Sequence, residues 1–122
     1  MKKYAITFLS LIIFITGCNN IPEIDTNLML DVSAAKEMLN TKDNIYLIDV
    51  RTSLEYDDYH IEGAINISSI EIEKIKEENI AKDDYIILYC QSGARSKEVY
   101  GKLKDMGYTN VYNTGSINNW VK

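Results

Sequence analysis

Two short apolar runs constrain this chain more than any other feature. Ile45-Tyr46-Leu47-Ile48-Asp49-Val50 and Tyr85-Ile86-Ile87-Leu88-Tyr89 show almost no polar alternation, and turn-forming residues bound each of them. A strand wetted on one side alternates polar with apolar; a run without alternation is buried on both faces. Strands of that kind need cover above and below, and the rest of the chain supplies helical periods to provide it. Ser33 is placed to cap a helix carrying Ala34, Ala35, Met38 and Leu39 at spacings of three and four. Ile70 to Ile80 reads as a charged helix with Ile72 and Ile75 inward, its acids Glu71, Glu73, Glu77 and Glu78 forming a solvated face. Ser96 to Met106 reads as a helix with Val99, Leu103 and Met106 on one stripe and Gly107 set to stop it. Ile65-Asn66-Ile67 and Val111-Tyr112 are shorter strands. Strands separated by helices predict an α/β domain, an open parallel sheet of about five strands with helices on both faces.

Composition narrows the function. At 122 residues there is room for one domain, and 46% apolar with 25% charged residues is ordinary for a globular fold. Net charge is −5, and Lys and Arg do not cluster beyond the extreme N-terminus, so no nucleic-acid partner is expected. Two cysteines and one histidine make neither a disulfide framework nor a zinc ligand set. No metal is expected, and a monomer is the default.

The first residues read as an address. Met1-Lys2-Lys3 is a basic head, Ala5 to Ile15 an apolar run about half the ~20 residues of a membrane span, and Ile15-Thr16-Gly17-Cys18 follows. That last segment resembles the lipobox of bacterial lipoproteins, which implies a signal peptide over 1–17 and a diacylglyceryl group on Cys18. Residues 18–27 then form the lipidated end and tether, and 28–122 the domain. The expectation is an exported protein held by its acyl chains to the outer face of the cytoplasmic membrane, or to a periplasmic membrane face.

The candidate chemistry follows the second apolar run. Ligands of open α/β sheets bind beyond the carboxyl ends of the strands. Cys90 arrives there, followed by Gln91-Ser92-Gly93-Ala94-Arg95 and a helix opened by Ser96. Gly93 allows the positive φ that curls such a loop, and the curl turns successive amide N–H groups inward as an anion cradle. A thiol over that cradle ionises more readily than a free cysteine and becomes a nucleophile. The plain alternative is a buried structural cysteine closing a strand, but a polar, glycine-containing loop argues against it. Only two arginines accompany eleven lysines, and both, Arg51 and Arg95, stand directly beyond the two buried strands. A planar fork is the reason to prefer Arg where Lys is the default cation.

Taken in order, Leu47-Ile48-Asp49-Val50-Arg51, Glu55-Tyr56, His60 to Ile67, Cys90-Gln91-Ser92-Gly93-Ala94-Arg95-Ser96 and Gly115 to Trp120 resemble a single-domain rhodanese from about Leu28 onward. The departures are Tyr59 where Gly often stands, Glu62 where Pro is common and Ser116 in place of a second Gly. The resemblance implies sulfur transfer: Cys90 takes the outer sulfur of thiosulfate or a persulfide, holds it as a persulfide in the loop, and passes it to a thiol or cyanide. Thiosulfate, persulfides and sulfide are the expected small partners, with no cofactor. Arg95 either binds the anionic part of the donor or braces the loop. Arg51 and Glu55, four apart, are expected to form an ion pair at the strand end. Asp49 supports the strand end, His60 a turn, and Trp120 covers the core. Two rivals stand beside this reading. A Cys-dependent phosphatase has a Cys-x5-Arg loop where this chain has Cys-x4-Arg, and a non-catalytic binding domain usually lacks the loop cysteine.

Overall fold

A computed structural model describes residues 29–121. The expected signal peptide, Cys18, the expected tether and Leu28 lie outside the described residues. The elements are α1 (Val32–Thr41), β1 (Ile45–Asp49), α2 (Ser53–Asp58), β2 (Ile65–Asn66), a 3-10 helix (Ser69–Glu77), β3 (Tyr85–Cys90), α3 (Ala94–Asp105), β4 (Asn110–Ser116) and a last 3-10 turn (Ile117–Asn119). All strand pairs are parallel, in the order β2-β1-β3-β4. The open parallel sheet is the expected architecture, built from four strands.

The two apolar runs are the two inner strands, paired from Ile45 with Tyr85 to Asp49 with Tyr89. Their side chains divide between two cores. Ile48, Val50, Ile86, Leu88 and Cys90 pack under α3 and the first 3-10 helix, with Ile72, Ile75, Val99 and Leu103. Leu47, Ile87 and Tyr89 face the other way, onto Ala35, Ala64, Ile117 and Trp120. Trp120 is the core cover expected of it: it packs beside Tyr89 and its Nε1–H donates to Thr114 Oγ1 at 2.9 Å.

Three local readings are corrected. Asp31, not Ser33, caps α1; its carboxylate accepts from the Ser33 amide at 3.0 Å, so the helix opens at Val32. Either residue type caps well, and Asp31 stands where the backbone is still extended. The segment after β2 is a 3-10 helix kinked at Glu71 (φ −121°, ψ 24°) rather than an α-helix. Its two inward isoleucines, Ile72 and Ile75, are three apart, the spacing that eclipses at three residues per turn. Finally, α3 begins at Ala94, because Gly93 itself caps it in the left-handed region at φ 102°. At its other end Gly107 turns left-handed at φ 97°, and the Tyr108 amide donates to the Leu103 carbonyl at 3.0 Å.

The sheet order places the site. From β1 the chain goes outward to β2, then returns across β1 to β3, so the winding direction reverses between β1 and β3. A crevice opens at the carboxyl ends of strands flanking such a reversal. Arg51 follows β1 and Cys90 closes β3. Between β3 and β4 the register slips, so that Leu88 faces Asn113 but Cys90 faces Ser116. The extra residue in β4 is a bulge containing Gly115 at φ 79°, and it brings Ser116 beside the end of β3.

Leu103 is fully buried between α3 and the sheet. Leu103→Ala should cost about 3 kcal/mol in urea unfolding, with the slope of the transition unchanged.

Candidate active site

The site is built around one sulfur atom. β3 carries Cys90 to its C-terminal end, where its carbon side joins the apolar core and the residue has 0% exposure. Its Sγ faces the loop. The Gly93 amide donates to Sγ at 2.9 Å, and the Ser96 hydroxyl lies 3.4 Å away. Gly93 can present its N–H there because of its left-handed backbone; a Cβ at Gly93 would meet Gly115 only at an ordinary 3.6 Å. Torsion, not space, requires the glycine. Gln91, Ser92 and Ala94 are exposed and form the rim, while Ser96 is buried within the first turn of α3.

Burial alone would push the Cys90 thiol upward. That effect is overcome by the Ser96 hydroxyl and by the amides of Ser96, Gly93 and Ser92, which hold the thiol below its ordinary value. Ser96 changes partners with the charge. Toward a thiol it accepts the S–H while its own proton goes to the Gly93 carbonyl at 3.1 Å; toward a thiolate the hydroxyl must turn and donate. One amide N–H and one hydroxyl thus meet at the sulfur, at the opening turn of α3.

Both arginines lie at the crevice, but the ion pair expected between Arg51 and Glu55 does not form. The Arg51 guanidinium is buried against Asp49, with Nη2 2.8 Å from Oδ2 and Nε 3.1 Å from both carboxylate oxygens. Asp49 Oδ1 also accepts from the Arg51 amide at 2.8 Å. The remaining arm of Arg51 donates to Gln91 Oε1 at 3.1 Å and the Tyr59 carbonyl takes another N–H. Asp49 and Arg51 are therefore supporting residues, joined to the loop through the side chain of Gln91. The spacing of four misled because Arg51 lies outside α2, which starts at Ser53. Glu55 instead pairs across the crevice with Arg95, through two bonds of 2.7 and 3.0 Å. It also closes a capping box with Thr52. The Arg95 guanidinium, with help from Thr52, holds the Glu55 carboxyl down at about 2.

Ser116 was not among the residues singled out as site candidates in the sequence. Its hydroxyl donates to the Gln91 carbonyl at 2.7 Å. Gln91 is thereby held from two sides, by Arg51 on its side chain and Ser116 on its backbone. The only sequence signal was a serine where the resemblance led one to expect glycine. His60 is a turn residue as expected, stacked on Tyr56 with ring centroids 3.7 Å apart and Nδ1 2.8 Å from the Tyr56 carbonyl.

A family model for the rhodanese-like domain matches residues 31–122. The chain belongs to that family. Among relatives, the thiosulfate sulfurtransferase PspE of Escherichia coli K12 is 39% identical over 71 residues, covering 57% of this chain and 68% of that protein. A sulfurtransferase of Allochromatium vinosum is 30% identical over 94 residues, covering 76% of this chain and 87% of its own. Among solved structures, an E. coli rhodanese with anions superposes with a TM-score of 0.59 at 37% identity, covering 62% of this chain and 89% of the other. The human single-domain sulfurtransferase TSTD1, at 22% identity, shares the fold with a TM-score of 0.67 over 76% of this chain and 94% of its own.

In this rhodanese-like domain the Ser96 hydroxyl is the largest influence favouring the thiolate. Ser96→Ala should therefore move the Cys90 titration to higher pH. The thiolate ultraviolet absorbance that Cys90→Ser removes would report the shift.

Proposed function

We propose that this chain is a sulfurtransferase that carries sulfane sulfur on Cys90. The observation that carries the reading is the convergence on Sγ of the Gly93 amide at 2.9 Å and the Ser96 hydroxyl at 3.4 Å, at the end of a buried strand. Donors so arranged stabilise negative charge on one sulfur atom. The names of the E. coli and A. vinosum relatives support the same activity.

In the first half-reaction the Cys90 thiolate attacks the outer sulfur of the donor. With thiosulfate the S–S bond breaks toward sulfite; with a persulfide it breaks toward a thiolate that takes up the persulfide's proton. Either way Cys90 is left as a persulfide anion, whose terminal sulfur rests against the loop amides. In the second half-reaction an acceptor thiolate or cyanide attacks that terminal sulfur, and the Cys90 thiolate is regenerated. Every charge and atom balances with the cysteine alone. Cys90 has no exposed surface, so the donor enters as the exposed rim at Ser92 and Ala94 gives way, with Gln91 staying clamped. Asp49 and Arg51 are positioning residues in this scheme, and Arg95 braces the loop.

Lipid anchoring through Cys18 on an exported chain belongs to the same proposal. It rests on the Ile15-Thr16-Gly17-Cys18 segment.

Incubation of the purified full chain with thiosulfate or cysteine persulfide should add one sulfur atom to Cys90, seen in the intact mass and located by peptide mapping. Cyanide should remove it as thiocyanate, and Cys90→Ser should take up none. An unchanged mass with both donors would overturn the reading. In cell fractionation Cys18→Ser should move the protein from the membrane to the soluble fraction while sulfur loading persists; unchanged membrane association would overturn the anchor.

A further inference from the structure

We propose that Glu55 sets the donor class of this site, by occupying Arg95 so that donors releasing a thiol are used in preference to thiosulfate. The inference rests on the sulfurtransferase reading and narrows it.

The charges at the mouth carry it. Thiosulfate brings a dianion and leaves as sulfite, so it needs a cation beside the cradle; the loop amides are already directed at the single sulfur of Cys90. Two guanidinium groups follow the ends of the inner strands, and both are occupied. Arg51 is buried, bound on two N–H groups by Asp49 and on others by Gln91 and Tyr59. Arg95 is the more accessible of the two, about a third exposed, and near enough for its charge to be felt at Cys90. Its two terminal nitrogens are engaged by the two oxygens of Glu55. A bidentate pair of this kind uses the planar edge that a sulfonate would take, and cancels the charge that would draw it. Protonation does not release the lock at ordinary pH, because the same pair keeps the Glu55 carboxyl near 2. Lys97 is the next cation along α3, but two positions on it points about 200° round the helix from Arg95.

The neighbourhood adds to the bias. Asp58 stands three positions on from Glu55 on the same side of α2, and the whole chain carries −5. A persulfide donor asks less of such a mouth. The Cys90 thiolate attacks its terminal sulfur, the S–S bond breaks, and the departing thiolate takes the proton of the persulfide. One negative charge enters the step and one remains, on the sulfur that the amides hold. Glu55 touches neither donor nor cysteine; it is a specificity-determining residue acting through Arg95.

The test is kcat/KM for the full chain with thiosulfate and with cysteine persulfide. For the unaltered protein the persulfide value should exceed the thiosulfate value by about tenfold or more; equal values, or a preference for thiosulfate, overturn the inference. Glu55→Gln keeps the capping oxygen but loses the negative charge and the second bond to Arg95, and should raise the thiosulfate-to-persulfide ratio about tenfold. Glu55→Asp, too short for the two-oxygen grip, should raise it by less. Adding Arg95→Gln to Glu55→Gln should abolish the rise. A ratio that does not move in Glu55→Gln, or a rise that survives loss of Arg95, refutes the role of Glu55. Failure of both donors to load Cys90 in the unaltered protein would refute the sulfurtransferase reading itself, so the two failures are distinguishable.

Discussion

The parallel register of β1 and β3 is the constraint on which the site depends. Ile45 faces Tyr85 and Asp49 faces Tyr89, so both strands end at the same height. Each continues at once into polar residues, Arg51 from one and Cys90 with its loop from the other. A shift of one residue would carry Arg51 out of reach of Gln91 and turn the side chains of one strand to the opposite core, since side chains alternate faces along a strand. Both faces of the two runs are packed, and the polar residues at their ends limit the register, because a slip would draw them into those cores. Hydrophobic burial and chemical geometry are thus one constraint: the residues that make the strands insoluble in water are those that aim the sulfur.

Around that pair the chain builds a polar frame in which hardly a charge is left alone. Asp49 orients Arg51, Arg51 holds the Gln91 side chain, and Ser116 holds the Gln91 backbone. On the far side Glu55 ties α2 to the start of α3 through Arg95. The Asp49–Arg51 pair has almost no exposure, and a buried pair contributes little net stability because desolvation offsets most of the attraction. Its value is positional: the carboxylate grips the Nε and Nη2 edge of the guanidinium, and Nη1 is left aimed at the Gln91 side chain. The β4 bulge serves the same end, since without the extra residue Ser116 would not stand opposite Cys90. The loop is therefore stiff at its first residue and at the opening turn of α3, with its exposed part between them.

How much of this was legible in the sequence divides along the range of the interaction. The inner strands, α3 and its stop at Gly107, the left-handed Gly93 and the amide cradle all follow from residues within a few positions of one another, where pattern and torsion decide. The kinked 3-10 helix is a near miss for a related reason: Ile72 and Ile75 fit an α-helix and a 3-10 helix equally well, and the turn is chosen by what lies beneath them. The charged partners could not be read at all. Arg95 and Glu55 are forty positions apart, as are Arg51 and Gln91, and only the folded sheet brings them together. The expected Arg51–Glu55 pair assumed one continuous helix. Asp49, two residues before Arg51 and aligned by the strand, took the guanidinium instead.

The position of Arg95 also separates sulfur chemistry from the nearest alternative. A phosphatase loop must wrap three oxygens of a tetrahedral group and lay a guanidinium over them, which needs a ring of amides wider than one atom and an arginine free to face inward. Here the Gly93 amide and the Ser96 hydroxyl meet at a single Sγ. The arginine that closes the Cys-x4-Arg loop turns outward to a carboxylate. One residue fewer in the loop tightens the ring, and one acid on α2 removes the clamp. The two differences act together: a narrow cradle with no free cation can hold one anionic sulfur, while a phosphate placed there would have too few donors for its oxygens and no counter-charge.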